Sequence, residues 1–117
     1  LKVRILLNIE RKRGDTTKAE DLVKRFAERF WVRDWPGSAR PMVFYDPRSL
    51  MPDAEAVLHA KAIVADDMSV FVTSANLTES AFDRNIELGL LVRDRALALS
   101  IVSHFQGLID HQDLISL

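Results

Sequence analysis

The sequence predicts an α/β domain: a mixed β-sheet flanked by helices. Three observations carry that reading. Residues 3–9 (VRILLNI) form a short apolar run, a helix-period segment follows, and residues 41–45 (PMVFY) form a second run. Strand–helix–strand order implies a parallel pair. Residues 57–65 (VLHAKAIVA) and 69–73 (SVFVT) are two more runs, separated by Asp66 and Asp67. Such a tight turn makes them an antiparallel hairpin. The chain has 117 residues, 48% hydrophobic and 28% charged, which suits one soluble domain with a true core.

Each element has its own signals. The run 3–9 is apolar almost throughout, as expected of a strand covered on both faces. Basic Arg11, Lys12 and Arg13 follow, then Gly14 and Asp15. Thr17 and Glu20 have the spacing of a capping box at a helix start. Ala19, Leu22, Val23, Phe26, Ala27, Phe30 and Trp31 fall on one helical face. Trp35-Pro36-Gly37 closes that unit. Residues 46–53, with Pro47 and Pro52, read as a loop, and residues 77–84 as a loop with a helical turn. Residues 86–92 (IELGLLV) read as a fifth strand. Asp94 is positioned to cap a last helix, with Leu97, Ile101, Val102, Phe105, Leu108 and Ile109 on its apolar face.

Composition excludes several functions. The chain contains no cysteine, so disulfides, cysteine-based zinc sites and thiol nucleophiles are ruled out. The three histidines, His59, His104 and His111, show no metal-ligand spacing, so no metal and no cofactor is expected. The net charge is −1, so any anionic substrate must be held by local groups. No apolar run approaches the ~20 residues that span a bilayer, and a cytoplasmic location is expected. The chain opens on Leu1, already inside a strand pattern, from which a preceding segment is expected.

One constellation carries chemistry. His59 and Lys61 are two apart on the predicted third strand and so share a face. Ser74 and Asn76 are two apart at the end of its hairpin partner, and Glu87 lies on the next strand. Imidazole, ammonium, hydroxyl, amide and carboxylate can then converge at one end of a sheet. An imidazole can attack phosphorus and form a phosphohistidine. Ammonium and amide can stabilise charge on the non-bridging oxygens. A carboxylate can fix the imidazole tautomer, the expected role of Glu87 toward His59.

The same residues carry a resemblance. His59-x-Lys61-x4-Asp66, then seven residues, then Ser74-x-Asn76, resembles the HKD signature of the phospholipase D superfamily, and Asn85-Ile86-Glu87 matches its Asn-x-Glu continuation. Six fixed residue types at fixed offsets arise by chance with odds on the order of 10⁻⁶. Where the family often has Gly after the Asp and before the Ser, this chain has Asp67 and Thr73. The stretch TSAN followed by LTESAFDRNIELGLLV looks like the phospholipase-D-like proteins associated with bacterial DISARM anti-phage systems.

The resemblance implies a phospholipase-D-like half-domain over residues 1–117. It further implies a phosphodiesterase in which two HKD motifs build one site, one histidine attacking and the other protonating the leaving group. This chain holds one motif. Its implied partner is a second HKD half, from a segment before Leu1 or from a dimer mate, the former making this chain a C-terminal half. Nucleic acid is the expected substrate, with lipid headgroups or a silent binding domain as rivals; no strongly amphipathic basic helix points to a membrane surface. Asp66 is expected to serve the turn. His104 and His111 read as structural, Arg11 to Arg13 with Lys18 as a solvated charge run, and Trp31 and Trp35 as packing residues.

Overall fold

Strand β1 (Arg4–Leu7) and strand β2 (Met42–Tyr45) pair in parallel, Arg4 with Met42 through Leu7 with Tyr45, as the strand–helix–strand order requires. The structure is a computed structural model that describes residues 2–53, 57–76 and 85–117. The expected loop and helical turn at 77–84 lies outside the described residues. Two compact units divide the chain, one of Leu1–His59 with Ile109–Leu117, the other of Ala60–Leu108.

In the first unit, β1 and β2 are joined by a short strand that sequence reading did not find. This is the last in chain order, β6 (Ile115–Ser116), antiparallel to β2. The connecting helix α1 spans Ala19–Arg29. Leu22, Val23 and Phe26 face a core of Ile9, Tyr45 and Leu50, so the predicted apolar face is the one that packs. The capping box is not there. The N-cap is Lys18, with no side-chain cap bond, because Thr17 is held one residue too early. The Thr17 N–H donates to Asp15 Oδ1 (2.9 Å), and its carbonyl accepts from Arg11 Nη1 (2.7 Å). Arg11 is therefore no solvated charge: it also donates to the carbonyls of Asp15 (2.7 Å) and Leu50 (2.6 Å).

Beyond Arg29 the helix widens into a π-helical turn, Phe30–Asp34, closed by Trp35 N–H to Phe30 carbonyl at 2.8 Å. The expected loop after β2 holds a 3₁₀ turn, Pro47–Leu50. Pro47 presets its first φ, and Asp46 caps it by accepting from the Arg48 N–H at 2.9 Å. The Ser49 hydroxyl donates to the Ile9 carbonyl at 2.8 Å, tying this turn to the end of the β1 segment.

The second unit is an antiparallel sheet in the order β3 (Ala62–Ala65), β4 (Ser69–Thr73), β5 (Gly89–Arg93). The α/β class and the hairpin hold; the single five-stranded sheet does not, since the described strands form two three-stranded sheets. Helix α2 (Arg95–Asp110) starts where Asp94 Oδ1 accepts from the Leu97 N–H at 2.9 Å, the expected cap. Val70 and Ala98 are fully buried in this unit. No described helix is long and apolar enough to cross a membrane.

Asp46 is buried, and the Arg48 guanidinium lies against both its oxygens (2.7–3.1 Å), holding its carboxyl below the usual range against the opposing effect of burial. A lowered folded pKa gives stability that is full above the unfolded value of ~3.9 and lost as pH falls through the folded one. The stability advantage of wild type over Asp46→Asn should thus shrink between about pH 5 and pH 2, measured by urea midpoints. A gap independent of pH would remove the ion pair from the account.

Candidate active site

The site residues of the second unit are set by hairpin register. Ala65 pairs with Ser69 and Ala62 with Val72. The turn between them has Asp66 and Asp67 at φ +53° and +50°, closed by Met68 N–H to Ala65 carbonyl at 3.0 Å. Positive φ at two successive positions belongs to the hairpin turns whose twist matches the strands, and Asp tolerates that region better than most residues. Asp66, the signature aspartate, is thus a turn residue, and it is exposed.

The ladder continues one step past Ala62, with Thr73 N–H donating to the Lys61 carbonyl at 3.0 Å. It then stops. Residues 57–61 are not strand, so His59 and Lys61 do not share a sheet face as the i, i+2 argument supposed. The reason lies on the partner side: after Thr73 the chain bends, and its next groups bond elsewhere. The Ser74 N–H donates to the Leu88 carbonyl (3.0 Å), and the Ala75 N–H donates to Thr73 Oγ1 (3.0 Å). Lys61 is half-buried at the start of the hairpin. His59 ends the first unit and is exposed. One residue before it, the Leu58 N–H donates to Asn8 Oδ1 at 3.2 Å.

Across from the bend, β5 begins at Gly89, three residues later than predicted, so Glu87 precedes the strand rather than lying on it. Side-chain bonds replace the ladder here. Ser74 Oγ accepts from the Leu88 N–H (3.1 Å) and donates to Glu87 Oε2. The other carboxylate oxygen, Oε1, accepts from Asn85 Nδ2 at 3.3 Å. So Ser74, Asn85 and Glu87, drawn from two separate stretches of sequence, meet in one network. Asn76 is exposed at the end of the Ser74 turn. His104 stacks edge-on against Phe105 along α2, 5.3 Å between centroids. Among the described residues no group of three or more His, Asp or Glu is arranged to hold a metal ion.

Two supporting positions, Asn8 in the first unit and Gly89 in the second, were not expected from the sequence, and Thr73 gains a role. Asn8 anchors the segment before His59; a polar residue closing an apolar strand was its only signal. Gly89, opposite Thr73, lies under the Phe71 ring, where an added Cβ would sit 2.8 Å from Phe71 Cε2. Glycine inside a strand pattern does signal such close approach. Thr73, one of the departures from the family pattern, supplies through Oγ1 the acceptor that turns the chain at Ala75.

Ser74→Ala removes the acceptor of the Leu88 N–H and the donor to Glu87. It should cost at most about 1 kcal/mol at this exposed site. Amide exchange at Leu88 should accelerate by about tenfold or more, while that at Ala75, bonded to Thr73, stays put. Unchanged exchange at Leu88 would dissolve the network.

A family model described as "Cardiolipin synthase, PLD-like domain" matches residues 1–109. No curated protein and no solved structure matches the chain.

Proposed function

The chain belongs to the phospholipase-D-like domain family, whose chemistry is of the phosphodiesterase type, and we propose that it is a metal-independent phosphodiesterase working through a phosphohistidine on nucleic acid. The observation that carries the reading is the Ser74–Glu87 hydrogen bond, which brings the Ser-x-Asn and Asn-x-Glu parts of the signature together. They stand next to the hairpin that Lys61 opens.

The roles follow from the chemistry. A histidine nitrogen attacks phosphorus, and the P–O bond to the leaving group breaks. A second histidine gives that leaving oxygen its proton. Water then attacks the phosphohistidine, its proton passing to the second histidine, and the P–N bond breaks. His59 takes one of the two roles. Lys61 and Asn76 neutralise charge on the non-bridging oxygens. Glu87 holds an imidazole in one tautomer, with carboxylate lone pairs left over from Ser74 and Asn85. Ser74 keeps Glu87 in place. The second histidine comes from another HKD half, in the same polypeptide or in a second copy, and residues 1–117 act as one such half. The runner-up substrate is a lipid headgroup, which the words cardiolipin synthase in the family description favour. A role in anti-phage defence and a cytoplasmic location belong to the nucleic-acid reading, on the resemblance of residues 73–92.

His59→Ala should lower turnover of a generic phosphodiester by about 10³-fold or more, with circular dichroism unchanged. Full activity in that folded variant would sink the proposal. Activity should also persist in excess EDTA; loss that Mg²⁺ restores would make the chemistry metal-dependent. Labelled oligonucleotides against labelled phospholipid vesicles decide the substrate.

A further inference from the structure

The π-helical turn after α1 carries a feature the phosphodiesterase reading does not use. Phe30, Trp31 and Trp35 form one cluster, Phe30 edge-on to Trp31 at 4.8 Å and tilted against Trp35 at 6.1 Å. The two tryptophans, expected as packing residues, do pack on Phe30 but are only half-buried, and no residue of α1 or of the turn is fully buried. The guanidinium of Arg40 lies 4.8 Å over the Trp31 ring. A built loop delivers it there. Trp35 Nε1 donates to the Ala39 carbonyl at 3.0 Å, and a Cβ at Gly37 would come within 3.1 Å of that nitrogen, so a larger residue there would press the indole aside by a few tenths of an ångström.

Residues 29–40 carry three arginines and one carboxylate, Asp34. Arg29 is tied to Asp34 at 3.2 Å. Arg33, inside the π turn, and Arg40 have no carboxylate partner among the described residues. Cations lie over rings here, Arg40 over Trp31 and Arg29 over Phe26 at 5.6 Å. A membrane-surface helix separates them instead, apolar residues on one side and basic residues on the other; here the one exposed large aliphatic side chain of the turn is Val32. Interleaved arginine and indole is the arrangement that holds a single-stranded polynucleotide, with bases stacked on rings and phosphates against guanidinium groups. π-helical turns recur at functional sites because the extra residue re-aims side chains.

From this we infer that the 30–40 turn is a single-strand nucleic-acid platform in which a base takes the place of the Arg40 guanidinium on Trp31, and Arg33 and Arg40 meet the flanking phosphates. The inference rests on the nucleic-acid form of the proposed function, but binding is read without turnover, so a catalytically silent chain leaves the test intact.

The chain's two tryptophans both lie in this cluster, so fluorescence excited selectively at tryptophan, away from Tyr45, reports the platform alone. Titration with a short oligothymidylate should quench it. Trp31→Ala should weaken binding about 5- to 150-fold, Trp31→Phe far less, since a ring for stacking remains. Arg33→Ala with Arg40→Ala should flatten the dependence of log affinity on log salt by about 1.4, two phosphate contacts at ~0.7 each. Hydrolysis of a small diester should be the same in all four proteins that fold. Absence of quenching, equal affinity of Trp31→Ala, or a fluorescence change produced by anionic phospholipid vesicles and not by the oligonucleotide would each overturn the inference.

Discussion

Hairpin register is the constraint on which the candidate site depends. Asp66 and Asp67 at positive φ fix which residue of β3 faces which residue of β4. Side chains alternate along a strand, so a slip of one residue would turn every one of them to the opposite face. With Ala65 held to Ser69, Lys61 must bond Thr73, Thr73 must face Gly89, and Ser74 must fall beside Leu88 and Glu87. Each step is a short-range consequence of the one before. The signature aspartate thus contributes geometry: its exposed side chain sits in the turn, and what it supplies is a backbone conformation most residues avoid.

The same register explains why the site begins where the ladder ends. A paired strand spends its N–H and carbonyl groups on its neighbours. At Ser74 the chain leaves β4, and side-chain oxygens of Thr73 and Ser74 take over backbone bonding. That frees Ser74 and Glu87 to bond each other where the strand ends.

Much of this was legible in the sequence. The parallel pair, the hairpin, the Asp94 cap and the apolar face of α1 follow from periodicity and local chemistry, which act over a few residues. Failures came where a distant partner decides. Thr17 has the spacing of a cap, but Arg11 and Asp15 hold it outside the helix. Residues 57–61 have the pattern of a strand, but their ladder partners bend away after Thr73. β6 is two residues long and exists because β2 offers an edge, which no local pattern announces. Spacing picked out His59, Lys61, Ser74, Asn76 and Glu87 as candidates; it could not disclose that Ser74 and Glu87 bond each other, nor that Asn8 and Gly89 support the segments around them.

The Ser74–Glu87 bond also poses the sharpest question about the chemistry, since a hydroxyl donating to a carboxylate is itself an arrangement that can attack phosphorus. Rapid alkaline quench of a turning-over phosphodiester reaction, followed by mapping of the phosphorylated residue by mass spectrometry, separates the possibilities. The account predicts an acid-labile phosphoramidate on a histidine of an HxK motif, His59 where it is the nucleophile. An acid-stable phosphoserine at Ser74 would contradict it.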